Sequence, residues 1–390
     1  MTQFATQTSK PHPPDDIVYP EAIPFMLVHL ACLGIFWTGA AATDWMLFGV
    51  LYLSRMWAVT AGYHRYFSHR SFKTSRLFQF LLAFLAQSSA QRGALWWSAT
   101  HRQHHRHSDT VEDVHSPARH GFWFAHLGWI FSRTKGKADY SLVKDWRRYP
   151  ELVWLDRQRF LPAFTLALAT GLAGGWSGLL VGFFLSTVLL FHATFFINSL
   201  AHVLGRQRYV TGDDSRNNFW LALITMGEGW HNNHHFYPTS VRQGFRWWEV
   251  DLTYYVLRLL AALKLVWGLR VPPDHVVAGE RRLPKVLVDQ VARQLAESFS
   301  VEAITGQIRQ ARQHAPRLEE WLQRVREAGW QAEECLHELH LPHLPHLPTL
   351  EDLKRRAQEM YAHTPSLDDI ASRAQQLLVH MVYQELQATS

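Results

Sequence analysis

The sequence predicts an all-α, integral membrane protein: four transmembrane helices carrying a cytoplasmic helical cap that holds a histidine-rich metal site. Three observations lead there. Apolar residues gather into four stretches close to the length of a membrane span, near residues 23–39, 44–61, 161–174 and 177–197. Arg and Lys crowd the long segment between the second and third stretches. Histidine, at 24 of 390 residues, recurs in spaced clusters around those stretches.

Residues 1–22, beginning "MTQFATQTSKPHPPDDIVYP", lack a positive segment running directly into an apolar one, so they read as a disordered arm rather than a secretory signal. A span needs about 20 mostly apolar residues, and "IPFMLVHLACLGIFWTG", "DWMLFGVLYLSRMWAVTA" and "SGLLVGFFLSTVLLFHATFFI" approach that length. The short links "AAAT" and "GGW" carry no Lys or Arg, whereas residues 62–160 are rich in both. The excess of positive charge on cytoplasmic loops then places that segment and both termini in the cytoplasm, giving two helical hairpins. Residues 77–97 are apolar but interrupted by Gln, Ser and Arg, which suits a helix lying on the interface. The membrane domain is expected over 23–275, and an amphipathic helical extension over 284–390. Within that extension "HLPHLPHLP" (340–348) reads as an extended linker.

Seventeen Trp and 23 Phe fit a protein with two membrane interfaces. The net charge of +6 suits an anionic substrate or a lipid surface, and no nucleic-acid partner is expected. Only two cysteines are present, Cys32 and Cys335, so neither a disulfide framework nor a thiolate-held metal is expected. A bound metal must be held by imidazole and oxygen.

The clusters supply imidazole. His64 and His69 lie in "GYHRYFSHR"; His101, His104 and His105 in "HRQHHRH"; His231, His234 and His235 in "GEGWHNNHHFYP". The last two share the spacing i, i+3, i+4, which places three rings on one helical patch. His64 and His69 are five apart and fit a helix end bending over a site. Asn198 and His202 close the fourth stretch at i, i+4. Nine imidazoles suit two metals, and neutral imidazole serves zinc, copper, iron or nickel alike. Both Glu112-x-x-His115 and Glu228-x-x-His231 match a short di-iron pattern, with Glu228 able to orient a ligand. The remaining cap histidines, His107, His115, His120 and His126, fall outside the ligand pattern.

Taken in order, "GYHRYFSHRSFK", "HRQHHRHSDTVEDVHSPARHGFWFAHLGW" and "GEGWHNNHHFYP" resemble the membrane fatty-acyl desaturases, in particular the bacterial relatives of the stearoyl-CoA (Δ9) branch, over about residues 20–270. The resemblance implies a di-iron centre. It assigns His64, His69, His101, His105 and His231 to one iron, and His104, His202, His234 and His235 to the other, with Asn198 contacting the second through water. The implied activity is O2-dependent insertion of a cis double bond, at Δ9, into a long acyl-CoA or lipid-linked acyl chain. The implied tunnel bends at Gln91, Trp97 and Thr194 and is capped by Tyr52 and Met56. Headgroup contacts fall to Arg102, Arg133 and Lys135. No C-terminal "HPGG" haem motif is present, so electrons are expected from a separate donor: a ferredoxin, a flavin reductase or a cytochrome b5-like protein. The alternative enzyme is a membrane lipid or alkane hydroxylase. A metal transporter would need polar residues along its spans, which offer only His29, Arg55 and His192, with Arg55 able to snorkel outward.

Overall fold

A computed structural model describes residues 16–312, 347–361 and 364–388, and these are mostly helical. They fall into two compact units, Gln7–Val277 and a second built mainly from Ala278–Ser390.

Pro20 in the first turn, where a missing N–H costs nothing, starts α1 (Tyr19–Thr38). Residues 19–22, expected in the arm, are therefore helical; residues 1–15 lie outside the described residues. The chain turns at Gly39, whose φ of +66° suits glycine. It enters α2 (Ala42–Trp57), where Asp44 caps the helix by accepting from the Ala41 N–H at 2.8 Å. This helix runs without a break into a π-helical segment, Ala58–Ser68, that is buried throughout.

The interfacial helix expected over 77–97 is two helices, α3 (Arg76–Gln87) and α4 (Ala94–His107). Ala90 and Arg92, both at positive φ, turn the chain between them. Two-residue strands β1 (Lys73–Thr74) and β2 (Val266–Trp267) pair antiparallel, Lys73 against Trp267.

Leu161–His202 is a 42-residue apolar helical stretch. At 1.5 Å per residue it is about twice the thickness of a bilayer core. It bends back at Gly175 (φ +63°, ψ −157°), a conformation open to glycine. The result is α5 (Leu161–Ser177) and, after a π-helical stretch Gly178–Leu185, α6 (Ser186–Asn198). The arms pack through small residues: a Cβ on Gly182 would stand 3.2 Å from Thr170 Cγ2 and 3.1 Å from Leu47 Cβ.

Among the described residues, two helices are long and apolar enough to cross a membrane, Tyr19–Thr38 and Leu161–His202. In the second predicted span, Arg55 does not snorkel. It is fully buried and donates to Leu51 O (3.0 Å), Ser88 O (3.4 Å), Thr187 Oγ1 (2.7 Å) and Ser186 Oγ (2.5 Å). Facing helices thus satisfy the guanidinium that the sequence reading sent to the surface. His29, His192 and His126 join in a hydrogen-bonded line, Nε2 to Nε2 at 3.1 Å and Nδ1 to Nε2 at 3.0 Å, ending on Ser199 Oγ at 3.0 Å.

After the short α7 (His231–Phe236), the described residues of the second unit form α8 (Lys285–Glu297), α9 (Val301–Arg312), α10 (Leu350–Tyr361) and α11 (Leu367–Ala388). Val288, Val291, Leu295, Ile308, Leu353, Ile370 and Leu378 form its buried face. The amphipathic stretch at 318–330 and residues 340–346 of the proline-rich linker lie outside the described residues.

Candidate metal centre

Local backbone geometry explains why the histidines meet. His69 N–H donates to His64 O at 3.2 Å, an i→i+5 bond that closes the π-helical segment. A π turn stacks residues five apart, so the two rings stand 4.9 Å apart, centroid to centroid. The spacing that fits an α-helix poorly is one turn of this wider helix.

In α4 the first turn is capped from outside: Asp156 Oδ1 accepts from Leu95 N and Trp96 N at 3.0 and 3.1 Å. A Cβ on the preceding Gly93 would lie 2.0 Å from that oxygen, so only glycine admits the cap. His101 and His105 then fall one turn apart, with His104 turned to the other side. The third cluster sits on α7 (His231–Phe236). Its two asparagines face away: Asn232 Oδ1 accepts from Arg208 N and Tyr209 N at 2.8 Å, and Asn233 Nδ2 donates to Gln243 O and Glu249 Oε2 at 2.9 Å. That anchoring turns the three imidazoles inward.

The rings converge in two sets. One is His64, His69, His101, His105 and His234; the other is His104, His202, His231 and His235. All nine histidines of the sequence reading are present, but His231 and His234 exchange places relative to it. The two boxes follow one rule. Positions i and i+4, one turn apart, serve one set, and the intervening i+3 serves the other. In α4 the pair joins the first set; in α7 the pair joins the second.

The donors fit metal ions. In the first set, Nε2–Nε2 separations are 3.0 Å for His64–His234, 2.9 Å for His69–His101, 3.1 Å for His101–His105 and 2.9 Å for His105–His234. Metal–imidazole bonds of about 2.1 Å at right angles put neighbouring nitrogens about 3 Å apart. In the second set, carboxylates take the outer nitrogen of three rings: His104 Nδ1 to Asp113 at 2.9 Å, His202 Nδ1 to Asp109 at 2.8 Å, and His235 Nδ1 to Asp213 at 2.6 Å. Each such ring turns its inner Nε2 towards the other members of the set. His104 Nε2 and His235 Nε2 are buried with no hydrogen-bond partner among the described residues. A buried acceptor left so costs about 1–3 kcal/mol, and a cation removes that cost.

Burial, then the neighbouring imidazoles, holds His69, His101, His105, His231 and His234 well below the ordinary histidine value. They are neutral and able to ligate. Burial alone would lower His202, but Asp109 lifts it to about 9; the proton that this pair attracts is what a cation at Nε2 replaces. Burial raises Asp213, yet His235 outweighs it and keeps the carboxyl below the usual range.

Glu228 pairs with His64 Nδ1, the orienting role anticipated for it, and also accepts from Gln243 Nε2 at 3.0 Å. Glu112 instead turns to Thr110 at the surface. Asp109, Asp113, Asp213 and Gln243 were not singled out by sequence reasoning; for Asp109 and Asp113 the signal available was acidic residues just after the second box, in "HSDTVEDVH". Of the four cap histidines outside the ligand pattern, His115 comes nearest, its ring 4.3 Å from His104. Carboxylates that orient ligating histidines are worth 10–100-fold in metal affinity. Asp213→Ala is therefore expected to lower the chelator concentration that strips half the metal by roughly that factor. An unchanged stripping curve would deny Asp213 this role.

A cavity of about 330 Å³ reaches the first set. Its lining includes His101, Trp97, Gln91, Thr194 and Asn198, then Phe183, Thr187 and Phe191 towards the helix interior. Trp97 stacks on His101, centroids 5.0 Å apart, and Gln91 Nε2 donates to Thr194 Oγ1 at 2.9 Å. Tyr52 and Met56, expected to cap the tunnel, are not among the lining residues. Tyr52 donates to Ile224 O at 2.7 Å, and Met56 is sealed in the core, because their face of α2 packs inward. Among the predicted headgroup residues, Arg102 places all five N–H groups within the protein, on Phe67 O, Ser68 O, Leu142 O and both oxygens of Asp145. Lys135 Nζ donates to Val111 O at 2.8 Å and Asp113 O at 2.7 Å, fixing the loop that orients His104. Both are structural ties; Arg133 is exposed.

The chain matches the family model described as fatty acid desaturase over residues 26–268. It is 38% identical to an sn-2 palmitoyl-lipid 9-desaturase of Nostoc sp. (strain 36) over 211 residues, 53% of this chain and 74% of that one. It is 37% identical to an sn-1 stearoyl-lipid 9-desaturase of Synechocystis sp. over 223 residues, 57% and 70% of the two chains. An acyl-CoA 5-desaturase of Anemone leveillei is 34% identical over 250 residues, 63% of this chain and 78% of that one.

Proposed function

The chain belongs to the fatty acid desaturase family, and on that premise we propose that this acyl desaturase inserts a cis double bond at Δ9 of a long saturated chain, with two irons held by the nine histidines. The observation that carries this reading is the cavity that ends on His101 beneath Trp97 and Asn198. An apolar channel leading to a nitrogen-lined metal site is what hydrogen abstraction from an alkyl chain requires. The relatives named 9-desaturases support the position, and their names divide between acyl-lipid and acyl-CoA substrates.

Irons, when bound, supply together with O2 the oxidant that an unactivated CH2–CH2 needs. Two hydrogens leave the chain, and with two donor electrons and two protons they reduce O2 to two waters. The residues of this chain do the rest. Trp97, stacked on His101, sets how closely the alkyl chain approaches the first set. The Gln91–Thr194 bridge lies in the cavity wall, where it would oblige a chain to bend, which favours cis geometry. Phe183, Phe191 and Phe195 exclude water. Asn198 lines the cavity and is proposed to hold a water beside the second set.

Four spans with a cytoplasmic catalytic face complete the proposal. It is supported by exposed large apolar residues on all four helices: Leu27, Phe36 and Trp37; Trp45, Met46 and Val50; Phe164, Leu172 and Trp176; and Leu189. Such a belt demands lipid. Electrons are proposed to come from a separate donor of the ferredoxin, flavin reductase or cytochrome b5 kind.

The test is expression of the full chain in cells followed by mass spectrometry of the acyl chains. Desaturation predicts new monounsaturated chains with the bond at Δ9; hydroxylated chains would support the hydroxylase alternative instead. Trp97→Ala is expected to scatter the bond position and to cut Δ9 product about a hundredfold, the cost of a misplacement near 1 Å. Unaltered product would reduce Trp97 to an interface anchor.

A further inference from the structure

We propose that the acyl chain enters sideways from the bilayer, between the N-terminal halves of α1 and α5, still esterified to a phospholipid whose phosphate rests on Arg92 and Arg159. The proposal names the substrate carrier and rests on the desaturase reading above.

The cavity is open on that side. Its lining includes Phe160 and Phe164, which are also 52% and 67% exposed, and across from them the exposed Pro24 of α1. Helix α1 packs against the Gly178–Leu185 stretch and α6. The cavity therefore separates α1 from the start of α5. On the four-span reading both flanking segments face lipid, so this opening gives onto acyl chains rather than onto water.

The rim of the opening is cationic. Arg92 and Arg159 both line the cavity, at the level where α1 and α5 begin. Arg92 lies over the Trp96 ring at 4.6 Å, and its hydrogen-bond partners are distant: Glu21 Oε2 and Ile130 O, both at 3.4 Å. Its Nε is buried and has no hydrogen-bond partner among the described residues. Arg159 is exposed and makes no hydrogen bond or ion pair among the described residues, lying only over the Phe160 ring at 5.0 Å. Burial, and then the Arg159 charge, lowers the Arg92 guanidinium from its ordinary value. Glu21 faces Arg92 at 3.4 Å, and no carboxylate pairs with Arg159 among the described residues. A fork with unused donors beside a second cation is a phosphate site. Arg92 is also held at φ +65°, and Ala90 at +60°, on either side of Gln91. Strain of this kind persists where the surroundings enforce it and gathers at ligand sites. Of the three cations expected at a CoA headgroup, Arg102 and Lys135 are already spent on protein carbonyls and Asp145, which leaves Arg133 as the exposed one.

The experiment uses the full chain in vesicles of branched-chain lipid, supplied with NADPH, a ferredoxin and its reductase. Three substrates are offered separately: distearoyl phosphatidylglycerol, the uncharged distearoylglycerol, and stearoyl-CoA. The expected result is a double bond in the intact phospholipid. Arg92→Gln and Arg159→Gln should raise the half-saturating mole fraction of phospholipid at least about tenfold, as loss of a charge-assisted hydrogen bond does, while the response to distearoylglycerol stays as it was. Arg159→Lys should recover most of the loss, which a folding defect would not. Product from stearoyl-CoA alone, or glutamine variants that saturate like the parent protein, overturns the proposal and leaves the desaturase reading standing. Absence of product from every carrier overturns both.

Discussion

His234→Ala is expected to abolish double-bond formation and to lower bound metal from about two ions per chain to about one. The reason lies in the convergence of donors: His234 Nε2 stands 3.0 Å from His64 Nε2 and 2.9 Å from His105 Nε2, so it closes the first set from the α7 side. His231→Ala should instead deplete the second set, where its Nε2 lies 3.1 Å from that of His202. Each single variant loses one ion under the geometric partition and under the one implied by family resemblance alike; pairing with His101→Ala separates the two, since the resemblance would put His101 and His234 in different sets. Combining His234→Ala with His101→Ala should cost little more metal than either alone, since both empty one set, and ligands that act as a unit are not additive. Combining His234→Ala with His231→Ala should leave the chain bare. Elemental analysis of purified protein reads all four cases. Full occupancy in the His234 variant would remove the residue from the metal centre.

Arg65→Ala is expected to be the most destabilising substitution outside the ligands, by about 3–5 kcal/mol. Its guanidinium is 1% exposed and lies between two carboxylates: Nε and Nη2 on Glu228 at 3.2 and 3.0 Å, and Nη1 on Asp251 at 2.9 Å and on Val241 O at 2.7 Å. Removing it strands two buried charges, the expensive way to break an ion pair. Because Glu228 also orients His64, metal should be lost with the fold. Arg65→Lys keeps a charge but not the fork, so an intermediate loss is expected. Thermal unfolding in detergent measures the series; a change below about 1 kcal/mol for the alanine variant would show that water reaches and solvates the carboxylates.

What was legible in the sequence follows from what period and spacing encode. The histidines and their helical carriers were readable because i, i+3, i+4 has a direct geometric meaning. The partition was not, because it depends on which way each helix is rotated, and that is set by distant anchors such as Asn232 on the Arg208–Tyr209 backbone. His64 and His69 were readable as a pair but not as a turn, since a π-helical segment leaves no periodic signature. The apolar stretches were plain; the burial of Arg55 was not, because Ser186 and Thr187, more than a hundred residues away in sequence, receive its donors. Basic residues misled for the same reason: composition marks Arg102 and Lys135 as free cations, and only the fold reveals Asp145 and the carbonyls that occupy them.

Neighbours along the chain stand on opposite sides of the metal centre. His104 and His105 belong to different sets, as do His234 and His235, and in each couple the ring centroids are 5.6 Å apart. The gap between the two sets is thus ruled by covalent backbone at both ends, not by loops free to breathe. Any two ions held there would keep a constant separation, like the jaws of a gauge cut from one piece.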